Sequence, residues 1–357
     1  MTHTNQILHS SKTSLVKSAP KVKLQSGFSL IELMVAITIG LIMMVALGTL
    51  LLNITRSNSE MAKTNLQIEN GRFAMQILQN DAVHAGFWGR LSDATAFNAA
   101  VAIPNPCLAS ASWDAAYKQN LLAIPVQGFA NGSTLTGCNV SNVLNTSDVL
   151  VISHANTCTA APTGCDGGTD TGPHIQTSEC QAGSPPPEAS YVISSSAFPL
   201  TKKDCTTKAP KRKIITNIYY LANNNSLPTL MRISLVNGSY SQPQPLIEGI
   251  EAFKVEYGID SLGTNGLPVS TANPGDGSPD TYVSCPNAGC SLDQLNNVVA
   301  LKLYVLARNL EATIGYKDTK SYQLGTTNIP AINDAFKRHV FSTSVRLVNP
   351  SSRREMP

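Results

Sequence analysis

Residues 27–52 read Gly27-Phe28-Ser29-Leu30-Ile31-Glu32 followed by LMVAITIGLIMMVALGTLLL, a stretch in which Glu32 is the only charged residue. From Leu33 to Leu52 there are 20 uncharged residues. At a rise of about 1.5 Å each they span about 30 Å, the thickness of a bilayer's hydrocarbon core. A membrane-spanning helix is the direct reading. Lys12, Lys17, Lys21 and Lys23 precede it with no acid among residues 1–27, and the next basic residue is Arg56. This bias places residues 1–27 in the cytoplasm and the C-terminal bulk outside. A secretory signal peptide has a shorter apolar run and a small-residue cleavage site. Here the run is long, begins abruptly after Ser26-Gly27 and carries an acid at its fifth position. On this segment alone a plain signal anchor, with Glu32 at the interface, is the alternative.

The motif Gly27-Phe28-Ser29-Leu30-Ile31-Glu32 with its apolar continuation resembles the class III signal of type IV pilins and pseudopilins. The resemblance implies that a prepilin peptidase cuts after Gly27 and N-methylates Phe28, leaving 330 residues (357 minus 27). Glycine at the cut leaves an extended backbone unobstructed. A charge such as Glu32 costs about 2.5–3.5 kcal/mol at the centre of a membrane helix, and less near its end. The family's partner for it is the amine of a neighbouring subunit's first residue, here Phe28. Such a buried pair specifies axial register better than it adds stability. The leader of residues 1–27 is longer than the handful of residues found in major pilins.

No proline occurs from Phe28 to Ala85, so one helix is expected across these 58 residues, transmembrane over 28–52 and amphipathic over 53–86, with Gly86 and Gly89 as its stop. Ile54, Met61, Ile68, Met75 and Ala82 recur every seven residues, and Leu66 and Phe73 form a second stripe. One stripe is expected to dock on the protein's own head and the other on neighbouring subunits; ordinary core packing of both is the alternative. Gly71 is expected to weaken or bend the helix.

From Leu91 the pattern changes to β-rich segments bounded by Asn, Gly and Pro: 148–154, 190–195, 213–222, 230–236, 246–259, 297–307 and 339–348. The segments 158–187 and 261–279 read as long surface loops. The stretch from Glu69-Asn70-Gly71-Arg72-Phe73-Ala74 through Asp81 to Ala85-Gly86-Phe87-Trp88-Gly89 is similar to the region after the membrane helix in PilW-type minor pilins. So are Ile218-Tyr219-Tyr220-Leu221, Leu246-Ile247-Glu248-Gly249-Ile250-Glu251, and the pairing of 298–309 with 339–347. The expected class is therefore α+β, with a long pilin helix packed against a β-rich head (87–357) carrying long disulfide-bearing loops.

Composition narrows the chemistry. Charged residues are 14% of the chain, against about 25% in typical soluble domains. The net charge of +3 resides in the leader, since residues 28–357 hold 22 basic and 23 acidic side chains, and no broad nucleic-acid footprint follows. All eight cysteines, Cys107, Cys138, Cys158, Cys165, Cys180, Cys205, Cys285 and Cys290, follow the membrane segment, which fits an oxidising compartment and up to four disulfides. Eight cysteines allow 105 pairings. Turn formers favour the local pairs Cys158–Cys165 and Cys285–Cys290, and chain order then pairs Cys107 with Cys138 and Cys180 with Cys205. No zinc spacing, EF-hand loop, nucleophile elbow or phosphate loop occurs, so neither metal, cofactor nor catalysis is expected. The polar clusters Asp276–Asp280 and Asp166–Asp170 read as turns rather than calcium sites. Lys202, Lys203, Lys208, Lys211, Arg212 and Lys213 form a basic cluster that reads as a solvated loop or a contact for a polyanion.

The resemblance implies a minor pilin that primes type IV pilus assembly and sits at the filament tip, serving pilus biogenesis, adhesion and twitching motility. Its implied partners are the prepilin peptidase, other minor pilins, the major pilin, the inner-membrane assembly machinery, a tip adhesin and membrane lipid, with no specific nucleic acid. The implied location is the inner membrane as a single-pass protein with a periplasmic head, then the pilus or cell surface. A minor pseudopilin of a type II secretion system and a tip adhesin binding through its loops are the rivals. Mass spectrometry of the mature protein is expected to find N-methylated Phe28 at its start; a chain still beginning at Met1 would overturn the leader reading.

Overall fold

The computed structural model describes residues 27–91, 99–160, 171–180, 188–270 and 273–355. Two compact units are distinguished, residues 1–58 and 59–357. Helix α1 (Leu30–His84, 55 residues) begins in the first and ends in the second. In the first unit its apolar side chains, from Phe28 at 88% exposure through Leu52 at 72%, lie open to the surroundings. The hydroxyls of Thr38, Thr49 and Thr55 donate to the carbonyls of Val35, Ala46 and Leu51 at 2.8–2.9 Å, so they bring no unsatisfied donor into an apolar medium.

The second unit is α+β. The strands are β1 (Val126–Phe129), β2 (Val149–Ala155), β3 (His174–Thr177), β4 (Tyr191–Ser194), β5 (Lys211–Asn224), β6 (Leu227–Val236), β7 (Ser239–Tyr240), β8 (Gln244–Glu248), β9 (Ile250–Ile259), β10 (Thr281–Val283), β11 (Val298–Arg308), β12 (Tyr322–Leu324), β13 (Thr327–Ile329) and β14 (Arg338–Arg346). The first sheet runs β1-β2-β5-β3-β4, with β6 also on β5 and joined by β7 and β8; the second runs β10-β9-β11-β14. Short helices α2 (Ala115–Ala123), α3 (Leu292–Asn296) and α4 (Val348–Glu355) complete the unit.

Alternation divides the first sheet's faces. Leu150, Ile152, Tyr219 and Leu221 join the main core with Phe253, Val255, Tyr257, Leu301, Leu303 and Val305 of the second sheet. Val149, Val151, Ile218, Tyr220 and Ile233 pack on the opposite face with the disulfide-bonded Cys107 and Cys138. The two sheets are stitched by residues 146–148: Phe253 N donates to Thr146 O at 3.2 Å and Asp148 N to Phe253 O at 2.9 Å.

Several expectations are corrected. The 246–259 segment is two strands, because Gly249 adopts φ +79°, a conformation that a side chain resists, and turns the chain between β8 and β9. The expected loop 158–187 contains β3, whose four residues are all buried. Its His-Ile-Gln-Thr sequence is too polar to read as a core strand, but Gln176 donates to Leu200 O and Ala209 O and accepts from Leu200 N, satisfying its buried amide. Strand β1 and helices α2 and α4 were not anticipated.

Of the expected docking stripe of α1, Met75 and Ala82 are buried against the head, but its N-terminal members are not. Ile54, Met61 and Ile68 are 47%, 60% and 38% exposed, as are Leu66 at 42% and Phe73 at 48%. The buried residues are Gln67, Gly71, Ala74, Met75, Leu78 and Ala82, a helical face of which half is small side chains. Gly71 does not act as a weak point: a Cβ there would lie 2.2 Å from the Phe341 ring on β14, so its lack of a side chain admits that ring. Gly71→Ala is expected to destabilise the full chain by about 1–2 kcal/mol, the overpacking cost exceeding the helix-propensity gain. In a Phe341→Ala background the same change should become neutral or stabilising. A stabilising effect of Gly71→Ala in the wild type, read from unfolding in detergent, would refute the contact.

Candidate functional site

At the start of α1, Ser29 N donates to Glu32 Oε2 at 2.9 Å, so the carboxylate is held over the helix's first turn, where free amides favour negative charge. Gly27 has open space where a side chain would stand, and Phe28 is exposed. The three residues expected to serve cleavage, methylation and register thus lie together at the N-terminal end of α1, with Glu32 four residues after Phe28.

In the second unit, α1 is fastened by polar contacts that its hydrophobic pattern did not announce. Gln67 Nε2 donates to Ala307 O at 2.7 Å and Lys337 O at 3.1 Å; Asn70 Nδ2 donates to Glu248 O at 3.1 Å. Glu60 Oε2 accepts from Lys337 Nζ at 2.8 Å and Thr313 Oγ1 at 2.7 Å. These bonds, Lys337's first, bring the Glu60 carboxyl from its ordinary 4.5 down to about 2. Near the other end, Asp81 accepts from Asn217 Nδ2 at 3.1 Å and meets His154 Nε2 at 2.9 Å. Burial pushes the His154 imidazole down, but the hydrogen bond and charge of Asp81 outweigh it and the net shift is upward. Beyond the helix, Gly86 N donates to Ser153 O and Ala155 N to Phe87 O, while Trp88 Nε1 donates to Leu122 O at 3.1 Å. The Ala85–Gly89 ending is therefore a clasp onto β2.

Two buried ionic groups stiffen the frame. Lys254 Nζ lies 2.7 Å from Asp148 Oδ1, joining β9 to the start of β2. Arg338, its side chain fully buried, contacts Glu251, Asp318 at 2.9 Å and Asp334 at 2.6 Å. Arg338's bonds hold Asp334 below its usual range; burial raises Asp318, but Arg338 and Tyr322 outweigh it and its net shift is also downward. Neither group was legible in the sequence; the recognisable signal was only that Lys254 interrupts the apolar strand β9.

Disulfides join Cys107 to Cys138, Cys180 to Cys205 and Cys285 to Cys290. Cys165, and with it the expected Cys158–Cys165 pair, lies outside the described residues, as does the Asp166–Asp170 cluster. Asp276 and Asp280 accept backbone amides of Ser278, Ser261 and Leu262. Among the described residues no three His, Cys, Asp or Glu side chains stand together as a metal site. In the basic cluster, Lys208 donates to Pro199 O, Lys211 lies 4.6 Å from the Phe198 ring centroid and Arg212 bonds Asn156 O and Thr157 O, so these three serve local structure.

The comparisons with known proteins follow these two regions. Residues 22–48 match the prokaryotic N-terminal methylation motif, and residues 218–349 match the family described as Type IV Pilus-assembly protein W. The first, together with the apolar N-terminal helix, supports a pilin-like chain with a membrane anchor and a methylation motif. The second, running from β5 to α4, supports a PilW-type minor pilin, a pilus-associated protein. Among solved structures the chain is similar to a type IV-like pilin from Thermus thermophilus, at 13% identity and TM-score 0.34, covering 80% of this chain and 97% of that one. No curated protein matches.

Acid should loosen the polar fastening. A carboxyl whose folded pKa is lowered stabilises fully above its unfolded value and loses that contribution as pH falls through the folded one. For Glu60 the window runs from 4.5 down to about 2, and Asp318 and Asp334 shift in the same direction. Arg338→Met, which leaves three carboxylates facing a neutral side chain, is expected to cost about 3–5 kcal/mol in urea unfolding at pH 7. The deficit should shrink as pH falls and the unpaired carboxylates take up protons; a deficit equally large in acid would contradict this account.

Proposed function

We propose that this chain is a minor pilin that primes type IV pilus assembly and stays at the filament tip. The observation that carries the proposal is the first-turn carboxylate of Glu32 in an apolar helix whose side chains are otherwise open. After leader removal, the amine of a neighbour's Phe28 would be the complementary charge, and pairing in a low-dielectric helix bundle would select one axial register. The exposed Leu66 and Phe73 on α1, with Leu246 and Leu310, line an open groove beside β8 that suits contact with a neighbouring subunit.

In this reading the head is a structural selector of neighbours rather than a catalyst, and it lies in the periplasm until the subunit is drawn into the filament. The partners are the prepilin peptidase, the other minor pilins, the major pilin and the inner-membrane assembly machinery. The disulfides support it, since an exported head must hold its loops without a reducing cytoplasm.

Glu32→Ala should leave membrane insertion intact and reduce recovery of the chain with other minor pilins by about tenfold or more, the equivalent of at least roughly 1.4 kcal/mol. Surface pili should be lost with it. Undiminished co-purification would count against the register mechanism. Normal piliation with lost attachment on deletion of residues 261–270 would favour the adhesin rival instead.

A further inference from the structure

Between β11 and β14 the chain forms a two-ply strap, residues 311–337. Its plies are joined by Thr313 N to Ala335 O at 2.8 Å, Asp318 N to Asp334 O at 2.7 Å and Asn333 N to Asp318 O at 3.0 Å. Arg338 pins it from within, through Asp318 and Asp334. On its other side it grips α1, where Thr313 Oγ1 donates to Glu60 and Lys63 Nζ donates to Ala312 O at 3.2 Å.

What the strap presents outward is unusual for so well-tied a segment. Ile314 is 82% exposed and Ile332 45% exposed, and Lys317 and Lys320 are exposed between them in the chain. The strap's acids are already opposed: Glu311 by Lys63 at 3.4 Å, and Asp318 and Asp334 by Arg338. Lys337 is engaged by Glu60. Neither Lys317 nor Lys320 has an acidic partner among the described residues, so the outward charge of the strap is positive.

Position in the chain identifies what this face meets. Glu60, which the strap grips, follows Leu52, the last residue of the apolar segment, by eight residues, so the chain tethers the strap within about 28 Å of that segment even at full extension. We propose that the strap is a membrane-surface contact. Ile314 and Ile332 enter the interfacial layer of an anionic phospholipid bilayer, and Lys317 and Lys320 meet its phosphates. Two isoleucines and two lysines offer too little area for a stable protein interface. They suffice at a lipid surface because the anchor makes the contact intramolecular, so even a weak affinity is expressed at high effective concentration. The contact would hold the head against the membrane before assembly and release when the anchor is extracted. It rests on the reading of residues 28–52 as a membrane anchor.

The test uses the full chain reconstituted in phosphatidylglycerol–phosphatidylethanolamine bilayers whose acyl chains are brominated near the headgroup. The native Trp88 and Trp113 are 2% and 6% exposed and give a protected background. Ile314→Trp should lose emission on bromination. Leu267→Trp, exposed beyond the Ile259–Val298 end of the second sheet and so opposite the strap, should not. Adding Lys317→Glu and Lys320→Glu should abolish the loss. If Leu51→Trp at the end of the anchor is quenched while Ile314→Trp behaves like Leu267→Trp, the strap proposal is overturned and the anchor stands. If Leu51→Trp is also unquenched, the anchor reading fails and the proposal falls with it. Quenching of Ile314→Trp that is equally large in phosphatidylcholine, or survives the lysine changes, overturns the anionic lipid as partner.

Discussion

The close approach of α1 to β14 at Gly71 governs the second unit. Phe341 fills the space that any side chain at that position would need, and the small residues Ala74 and Ala82 continue the same face. Because the backbone comes so near, the Gln67 side chain can reach the carbonyls of Ala307 and Lys337, and Asn70 that of Glu248. Close packing supplies dispersion contacts, and the amides at its margin satisfy backbone groups that would otherwise be stranded at the seam. The helix keeps its large apolar side chains, Met61, Leu66, Ile68 and Phe73, on faces that the head does not cover.

This arrangement divides labour along one helix. Residues 30–52 are apolar on every side and carry a single acid; residues 59–84 meet their own head through small and polar residues together with Met75 and Leu78. The other large apolar side chains, Met61, Leu66, Ile68 and Phe73, stay exposed. Fastening by Gln67, Glu60 and Asp81 leaves those side chains available for assembly, consistent with a pilus-associated protein.

The buried ionic groups serve geometry more than stability. Lys254 and Asp148 bridge the two sheets, and Arg338 gathers Glu251, Asp318 and Asp334 so that the segment between β11 and β14 lies in one place. Taking these charges out of water offsets much of their attraction, but mispaired arrangements would leave a bare charge inside. Such groups therefore exclude alternatives, which matters for a head built of many short strands that could slip in register.

Much was legible from local chemistry. The apolar span, its acid at residue 32, the proline-free helix through Ala85 and the alternating strands β2, β5, β6, β9, β11 and β14 depend on composition and period, which a linear sequence carries directly. The break at Gly249, the buried polar strand β3 and the true docking face of α1 did not. Heptad spacing pointed to Ile54, Met61, Ile68, Met75 and Ala82, of which only Met75 and Ala82 are buried; Gln67, Gly71, Ala74 and Leu78 complete the buried face. The sequence by itself determined that the chain has a membrane-length apolar helix, an N-terminal methylation motif and a β-rich remainder. Only the tertiary structure decided which side of that helix meets the head, because the deciding quantity is the distance between two backbones, and a glycine makes room only for a neighbour that folding brings to it.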